Sequence, residues 1–235
     1  MRTSILGLAL LVSTAFAAPA HAEELGGGFN VSGNAAIVTD YRFRGVSFSD
    51  EDIAIQGGID LEHDSGFYIG TWGSSIEDSP VFGHTELDIY AGWSGEISSG
   101  LSLDVGVLAY LYPNGNVGNA DYVEPYASLS YAIGPAEITT GVAWAPSQSS
   151  IGNDDNLYVY SGVDIGIPGT PISVGGHLGY TDGSLSVDPD GDYWDWGLSA
   201  EAVFGMLSVG VAYVSTSVDG PGTDGAVVGT LGVSF

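Results

Sequence analysis

The feature that most constrains the fold of this sequence is an alternation of apolar with polar or small residues, which continues from about residue 23 to the last residue. A period of two places successive side chains on opposite faces of a β-strand. In the last segment, for example, Leu231 and Val233 share one face, and Thr230 lies on the other. The pattern therefore predicts an all-β chain.

The composition narrows the possible functions. The chain has 235 residues, 29 Asp and Glu against 3 Lys and Arg, and a formal net charge of −26 at pH 7. Such a charge is repelled by phosphate backbones, so no nucleic-acid partner is expected. A hydrophobic content of 44% is too high for a disordered acidic chain. With 37 glycines and no cysteine, short strands joined by turns and held without disulfides are favoured.

The first 22 residues have the three parts of an export signal. Arg2 provides the positive charge, residues 5–17 are apolar, and Ala20 and Ala22 frame a cleavage site of the A-x-A type. The apolar run is too short to span a bilayer as a helix, and the sequence has no run of 18 apolar residues. We expect residues 1–22 to be a cleaved signal peptide and residues 23–235 to form a single domain.

Turn signals divide the mature chain into segments of about the 9 to 11 residues with which a tilted strand crosses a bilayer. The twelve predicted strands are 29–43, 53–63, 67–76, 85–95, 101–112, 122–131, 136–145, 156–167, 172–180, 193–203, 206–214 and 225–235. Short turns alternate with longer loops at 44–52, 77–84, 113–121, 146–155, 181–192 and 215–224. This arrangement predicts a transmembrane up-and-down antiparallel β-barrel with short periplasmic turns and longer extracellular loops.

The acidic residues of the predicted strands all fall on the polar face. Because a charge that faces lipid is costly while one that faces a wet lumen is not, this face is predicted to line the lumen. The inward acids are Asp40, Asp60, Glu62, Glu86, Asp88, Asp104, Glu124, Glu137, Asp164, Asp195 and Glu201.

Outward-facing aromatic residues provide a second test, since membrane barrels carry aromatic girdles at both interfaces. The residues predicted for the extracellular girdle are Tyr41, Phe43, Trp144, Tyr180, Trp194, Trp196 and Tyr213. Those predicted for the periplasmic girdle are Phe29, Trp93, Tyr131 and Phe235. A soluble secreted β-sandwich also has alternating strands, but it does not account for two aromatic belts and alternating loop lengths.

Four segments of the chain follow the pattern of a known family. They are TDYRFRGVSFSDEDIAIQGGIDLEHDSGFYIGTWGSSI at 39–76, ELDIYAGWSGEI at 86–97, LDVGVLAYLYPNG at 103–115 and DYVEPYASLSYAIGP at 121–135. In these segments the sequence closely resembles the TorF family of porin-like proteins, also known as the Gcw_chp family. Phe48 and Ile53 depart from the Gln and Pro that the family often has there. The resemblance implies an outer-membrane barrel of the channel type and leaves the substrate open.

A lumen lined with carboxylates attracts cations and repels anions, so we expect a passive, mildly cation-selective diffusion channel for small hydrophilic solutes. The expected selectivity residues are Asp40, Arg42, Arg44, Glu86, Asp88, Asp104, Glu124, Asp164 and Asp195. Arg42 and Arg44, the only Lys or Arg residues after residue 22, are predicted on the inward face of the first strand. They either create a transverse field that defines the constriction or form salt bridges that stiffen the barrel.

Inward tyrosines form a second group near the predicted extracellular mouth, and they are Tyr110, Tyr112, Tyr126, Tyr158 and Tyr160. Such rings can stack on sugars or nucleosides. They can equally fill the interior, because twelve strands lie between packed barrels of about 8 strands and open porins of about 16. The sequence alone leaves both interpretations open.

No cofactor and no metal site is predicted. Asp188, Asp190 and Asp192 begin with the spacing of a calcium loop, but Tyr193 stands at the sixth position, where Gly is needed. An ordinary solvated acidic loop is therefore the better interpretation. The outer face of the barrel is expected to contact outer-membrane lipid. The acidic loops are expected to contact divalent cations that bridge lipopolysaccharide. The C-terminal strand, which ends at Phe235, is the expected contact with the barrel-assembly machinery.

Two other classes of function are alternatives to a channel. An enzyme is not expected, because the mature chain has only His63, His84 and His177 and no G-x-S-x-G motif. A non-conducting structural or receptor-type barrel, acting through its acidic extracellular loops, follows if side chains fill the lumen. Either barrel would lie in the outer membrane of a Gram-negative bacterium.

Overall fold

The computed structural model describes residues 23–235, and the predicted signal peptide at 1–22 lies outside the described residues. Twelve strands form one closed barrel. Each barrel strand pairs antiparallel with its neighbours in sequence, and the last strand pairs with the first. The predicted up-and-down barrel of about twelve strands is confirmed.

The strands are closely those that the alternation predicts. They are β1 (Glu23–Gly26), β2 (Phe29–Val38), β3 (Arg42–Phe43), β4 (Val46–Ser47), β5 (Ala54–His63), β6 (Phe67–Ser79), β7 (Gly83–Ser98), β8 (Leu101–Leu111), β9 (Tyr122–Ile133), β10 (Ala136–Ala145), β11 (Asn156–Gly166), β12 (Ile172–Gly183), β13 (Asp192–Phe204), β14 (Leu207–Thr216) and β15 (Ala226–Ser234). The barrel consists of β2 and β5 to β15, whereas β1 pairs with the start of β2, and β3 and β4 form a separate hairpin. A 3-10 helix at Ser149–Ile151 lies between β10 and β11. Among the described residues, no helix has the length and apolar character to cross a membrane.

The two ends of the barrel have different connections. At the turn end, which is the predicted periplasmic side, the connections are 64–66, 99–100, 134–135, 167–171 and 205–206. At the loop end, which is the predicted extracellular side, they are 39–53, 80–82, 112–121, 146–155, 184–191 and 217–225. The predicted long loop at 77–84 is wrong, because β6 and β7 extend through it and pair as far as Ser79 and Gly83.

The two faces of the wall differ as a membrane barrel requires. Along β7, Glu86 and Asp88 are buried while Ile89 is 45% exposed. Along β5, Ile59 is exposed and Asp60 beside it is half-buried on the inner face. Apolar side chains therefore face outward and the acidic side chains of the strands face the lumen.

The first predicted strand is too long. β2 ends at Val38, and the chain then turns into the barrel as loop 1 (residues 39–53), which contains the hairpin of β3 and β4. Arg44 and Gly45 at the hairpin tip have φ values of 47° and 83°, as in the two-residue turns that match strand twist. The backbone N–H of Tyr41 donates to Ser49 Oγ across the loop, 2.9 Å away. These local bonds end the strand although the alternation in the sequence continues.

The inward course of loop 1 also changes the aromatic girdle at the loop end. Tyr41 and Phe43, which were predicted to face lipid, are only 3% and 8% exposed inside the barrel, so this prediction is wrong. Trp144, Trp194 and Tyr213 do lie exposed on the outer face. At the turn end, the predicted girdle residues Phe29, Tyr131 and Phe235 are exposed, and so are Phe67 and Phe204.

Candidate functional site

The inward carboxylates divide into two groups along the barrel axis. In the loop half, Asp40, Glu86, Asp88, Glu124 and Asp195 are each at most 4% exposed. In the turn half, Glu201 is only 6% exposed. The other inward acids of this half, which we call the vestibule acids, are half-buried or exposed to solvent. The vestibule acids are Asp60, Glu62, Asp104, Glu137 and Asp164. Of the predicted selectivity residues, only Asp104 and Asp164 therefore reach the solvent of the lumen.

Loop 1 occupies the loop half of the lumen. Its charged residue Arg44 contacts the barrel wall there. Arg44 Nη2 lies 2.7 Å from both Oε1 and Oε2 of Glu124, and the two side chains are 1% and 0% exposed. The guanidinium also lies over the ring of Tyr158, with Cζ 4.2 Å from the ring centroid. The hydroxyl of Tyr193 donates to the backbone carbonyl of Arg44 over 3.1 Å. Three strands of the wall thus hold the tip of loop 1.

Arg42 forms hydrogen bonds within loop 1 and to the loop at 217–225. Its Nε donates to Asp40 Oδ2 over 2.6 Å, and its Nη1 donates to the backbone carbonyls of Gly45 and Asp224. Glu51, at the exposed rim, lies 3.4 Å from Nη2. Arg42 and Arg44 are therefore not on the inward face of a barrel strand, as predicted, but in loop 1, which lies inside the barrel.

Aromatic packing anchors the remainder of loop 1. The hydroxyl of Tyr41 donates to Glu86 Oε1 over 2.5 Å, and the Tyr41 ring lies 5.5 Å from the ring of Trp72. Phe43 packs edge-on against Tyr110 at 5.6 Å. Burial and the charges of nearby carboxylates raise the pKa of the Tyr41 phenol above its usual range, so the hydroxyl remains a donor to Glu86.

The predicted lumen tyrosines pair with the lumen carboxylates. Tyr112 Oη donates to Glu86, Tyr110 Oη to Glu124 and Tyr158 Oη to Asp195, over 2.9, 3.1 and 3.2 Å. Tyr126 and Tyr160 lie deeper and are half-buried. Tyr110 and Tyr158 pack against Phe43 and Arg44 of loop 1, and Tyr112 is buried as well. Filling of the interior is therefore the interpretation that this conformation favours.

Several buried polar atoms in the loop half have no hydrogen-bond partner. Those on charged side chains are Nε and Nη1 of Arg44, Oδ1 of Asp88 and Oδ2 of Asp195. Asp195 also lies 3.1 Å from His177 Nε2 through its other oxygen. Buried polar groups are normally satisfied, so these charged side chains keep unused capacity to hydrogen-bond a further polar group.

Sequence reasoning missed most of the aromatic contacts of loop 1. Tyr193 and Trp72 are inward residues of their strands but were not predicted as site residues, and Tyr41 and Phe43 were placed on the wrong face. The parity of Tyr193 is the signal that could have identified it, because it shares a face with the inward acid Asp195. The predicted strand 67–76 has no acid that would mark the face of Trp72. No sequence signal indicated which lumen residues loop 1 would contact.

Neither the histidines nor the acidic loops of the described residues form a metal site. Within residues 23–235, no three His, Asp or Glu side chains are grouped to hold a metal ion. In the acidic loop, Asp188 Oδ1 accepts the backbone N–H of Asp190 over 2.8 Å. His177 is close to Asp195, but no serine is hydrogen-bonded to either residue in the described part of the chain.

The fold defines the class of protein: a closed antiparallel barrel of twelve strands with an apolar exterior and a charged interior is the fold of outer-membrane porins. The KdgM porin superposes with a TM-score of 0.60 at 10% identity, covering 87% of this chain and 98% of that one. The NanC porin gives 0.59 at 11% identity, covering 87% and 98%. The KdgM porin in complex with disordered oligogalacturonate gives 0.57 at 8% identity, covering 87% and 97%. At these sequence identities, the structural similarity to the porins shows a shared fold and nothing further.

Family membership follows from the sequence itself. The family described as "Bacterial protein of unknown function (Gcw_chp)" matches residues 22–231, and the chain therefore belongs to the Gcw_chp family. This confirms the resemblance seen in the four segments above. No curated protein matches the sequence.

Proposed function

We propose that this chain is an outer-membrane channel through which small hydrophilic solutes diffuse passively, with a preference for cations. The observation that carries the proposal is the charge of the vestibule. Five carboxylates line the solvent-accessible half of the lumen, and Arg42 and Arg44, the only Lys or Arg residues in 23–235, lie in the other half. Acidic walls of low dielectric concentrate cations and repel anions, as charged rings do in other pores.

The chemistry of the lumen also separates this chain from one of its structural neighbours. The KdgM porin is known in complex with oligogalacturonate, which is a chain of linked uronic acids. A polyanion of that kind would be repelled by the vestibule acids. We therefore propose neutral and cationic solutes for this chain rather than acidic oligosaccharides.

Location and partners complete the proposal. The signal peptide at 1–22 would direct export, and the turn end would face the periplasm. The last residue, Phe235, exchanges backbone hydrogen bonds of 2.8 and 3.0 Å with Gly33, so the C-terminal strand closes the barrel. We propose this strand as the segment that the barrel-assembly machinery handles. The acidic loops at the other end would meet lipopolysaccharide through divalent cations.

Single-channel recording of refolded mature protein in a planar bilayer under a KCl gradient tests the proposal. We expect discrete current steps and a reversal potential of the sign that cation selectivity gives. The variant D104N/E137Q/D164N should move the reversal potential toward zero, because it removes three vestibule charges. The variant D188N/D190N/D192N is the matched control, since it removes three charges from an outer loop and should change the reversal potential little.

A non-conducting barrel is the second candidate, because loop 1 buries Arg44 and Glu124 almost completely in the loop half. Such a protein would act through its acidic extracellular loops. No current from protein that is shown to be folded and inserted would favour this candidate over the channel. Anion selectivity, by contrast, would contradict the role that we assign to the vestibule acids.

A further inference from the structure

Arg44 lies in a site that has the chemistry of a cation receptor. The site, called the Arg44 site below, consists of Glu124, Tyr110 and Tyr158. Glu124 offers two carboxylate oxygens at 2.7 Å, and the face of Tyr158 lies 4.2 Å from the guanidinium carbon. A carboxylate beside an aromatic face is the combination that binds guanidinium and ammonium groups in proteins.

The walls of this site belong to the barrel and not to loop 1. Glu124, Tyr110 and Tyr158 lie on β9, β8 and β11, where the strand ladders fix their positions. Tyr110 stacks on Tyr122 with centroids 4.4 Å apart, and its hydroxyl donates to Glu124 over 3.1 Å. The occupant, in contrast, projects from a two-residue turn. We therefore expect the site to keep its shape when the arginine leaves it.

The arginine fits the site incompletely. Only Nη2 forms a hydrogen bond, whereas Nε and Nη1 have no partner although both are buried. A permanent buried ion pair is stabilising only when its remaining polar atoms are satisfied. The backbone of Arg44 has a φ of 47°, a conformation that residues other than glycine rarely adopt. Two unpaired acceptors, Oδ1 of Asp88 and Oδ2 of Asp195, remain in the same half of the barrel.

We infer that Arg44 is an internal occupant of a binding site for the cationic group of a solute, of the guanidinium or ammonium class. The inference rests on the proposed channel function and names the class of solute that the channel takes. A solute that enters from either acidic end would compete with Arg44 for Glu124 and for the Tyr158 ring. Its binding releases the tip of loop 1 and opens the loop half to further solute.

Saturation of the channel by a small guanidinium compound tests the inference. Methylguanidinium and methylurea have nearly the same shape, but only the first is charged at neutral pH. We expect methylguanidinium to change the K⁺ current of the wild-type channel saturably, with a half-maximal concentration at least about tenfold below that of methylurea. Glu124→Gln should raise that concentration about tenfold, whereas the outer-loop control D188N should leave it unchanged.

Arg44→Ser provides a second, independent variant. Because the internal competitor is removed, methylguanidinium should bind this variant about tenfold more tightly than the wild type. Binding is also measured without any current, as a thermal shift of the folded protein in detergent. An Arg44 that is merely structural predicts no methylguanidinium effect on the wild type.

The outcomes separate this inference from the proposed function. A cation-selective current that methylguanidinium and methylurea affect equally would overturn the Arg44 site and leave the channel standing. No current in any salt would overturn the channel. In that case, equal thermal shifts of the Arg44→Ser protein with the two compounds would overturn the site as well.

Discussion

Arg44 and Glu124 form an ion pair that is buried inside the barrel. Breaking such a pair leaves an uncompensated charge at a cost of about 3 to 5 kcal/mol. The strands are held by their own hydrogen-bond ladders, whereas loop 1 is held in the barrel by a few side chains. The cost of losing the pair should therefore appear as release of loop 1 and not as unfolding of the barrel.

Cleavage by trypsin measures that release directly, because Arg42 and Arg44 are the only Lys or Arg residues in residues 23–235. Both are 1% exposed, so the wild-type barrel should resist cleavage. Glu124→Gln should increase the cleavage rate about tenfold or more, since cleavage follows the population with loop 1 released. Asp188→Asn is the control and should cleave as slowly as the wild type. Equal rates for the two variants would show that the ion pair does not hold the loop.

Several inward glycines leave room for the rings of the lumen tyrosines, because a Cβ at these positions would overlap the rings. A Cβ on Gly106 would lie 2.5 Å from Tyr126 Oη and 2.8 Å from the carbonyl oxygen of Ala91. A Cβ on Gly162 would meet nothing closer than 3.5 Å. Gly106→Ala should therefore destabilise the barrel by about 1 to 3 kcal/mol, while Gly162→Ala should change its stability by less than about 0.5 kcal/mol. Urea unfolding in detergent, followed by tryptophan fluorescence, measures both, and a Gly106→Ala barrel as stable as the wild type would contradict this account.

Among the elements, the barrel strands could be predicted from sequence and loop 1 could not. A wall with lipid on one side and water on the other requires alternation, so residues such as Ile89 and Asp88 encode their own faces. The alternation continues through Arg42 and Phe43, where the structure has already left the wall. What turns loop 1 inward is the tight turn at Gly45 together with partners far along the chain, and no local pattern specifies those partners.

The two arginines together stabilise the position of loop 1 inside the barrel. Arg42 reaches the carbonyl of Asp224 over 2.8 Å, and Arg44 reaches Glu124. R42S/R44S removes both ties and both positive charges, so we expect a larger single-channel conductance and stronger cation selectivity. The comparison variant is D188N/D190N, which changes charge at the loop end without touching loop 1. Unchanged conductance and reversal potential in R42S/R44S would leave the arginines a purely structural role.

A disulfide can fix loop 1 in the position seen here. A Cβ on Gly222 would lie 3.5 Å from Cβ of Ser47, within the range of a disulfide, and the chain has no cysteine of its own. The φ of 75° at Gly222 adds a cost of about 1 to 2 kcal/mol for the cysteine. Oxidised S47C/G222C should carry less current than the reduced protein, and a reductant should restore it. The single variants serve as controls, and equal currents in both redox states would mean that conduction does not need loop 1 to move.

At the scale of the whole molecule, charge is distributed unevenly along the barrel axis. The described chain has its two arginines in the loop half, while the turn half has carboxylates without a Lys or Arg. Such a distribution acts on a passing ion through its field as well as through contact. Fields through water are screened by salt, with a Debye length of about 10 Å at 0.1 M and about 3 Å at 1 M.

Salt dependence therefore distinguishes a field in the vestibule from a contact at loop 1. If the vestibule acids set the selectivity, the ratio of cation to anion permeability should fall steeply as KCl rises from about 0.1 M to about 1 M. The variant D104N/E137Q/D164N should have a low ratio with little dependence on salt, whereas D188N/D190N/D192N should follow the wild type. A wild-type ratio that is high and independent of salt would instead place selectivity at the buried carboxylates of the loop half, because ions there are desolvated and poorly screened.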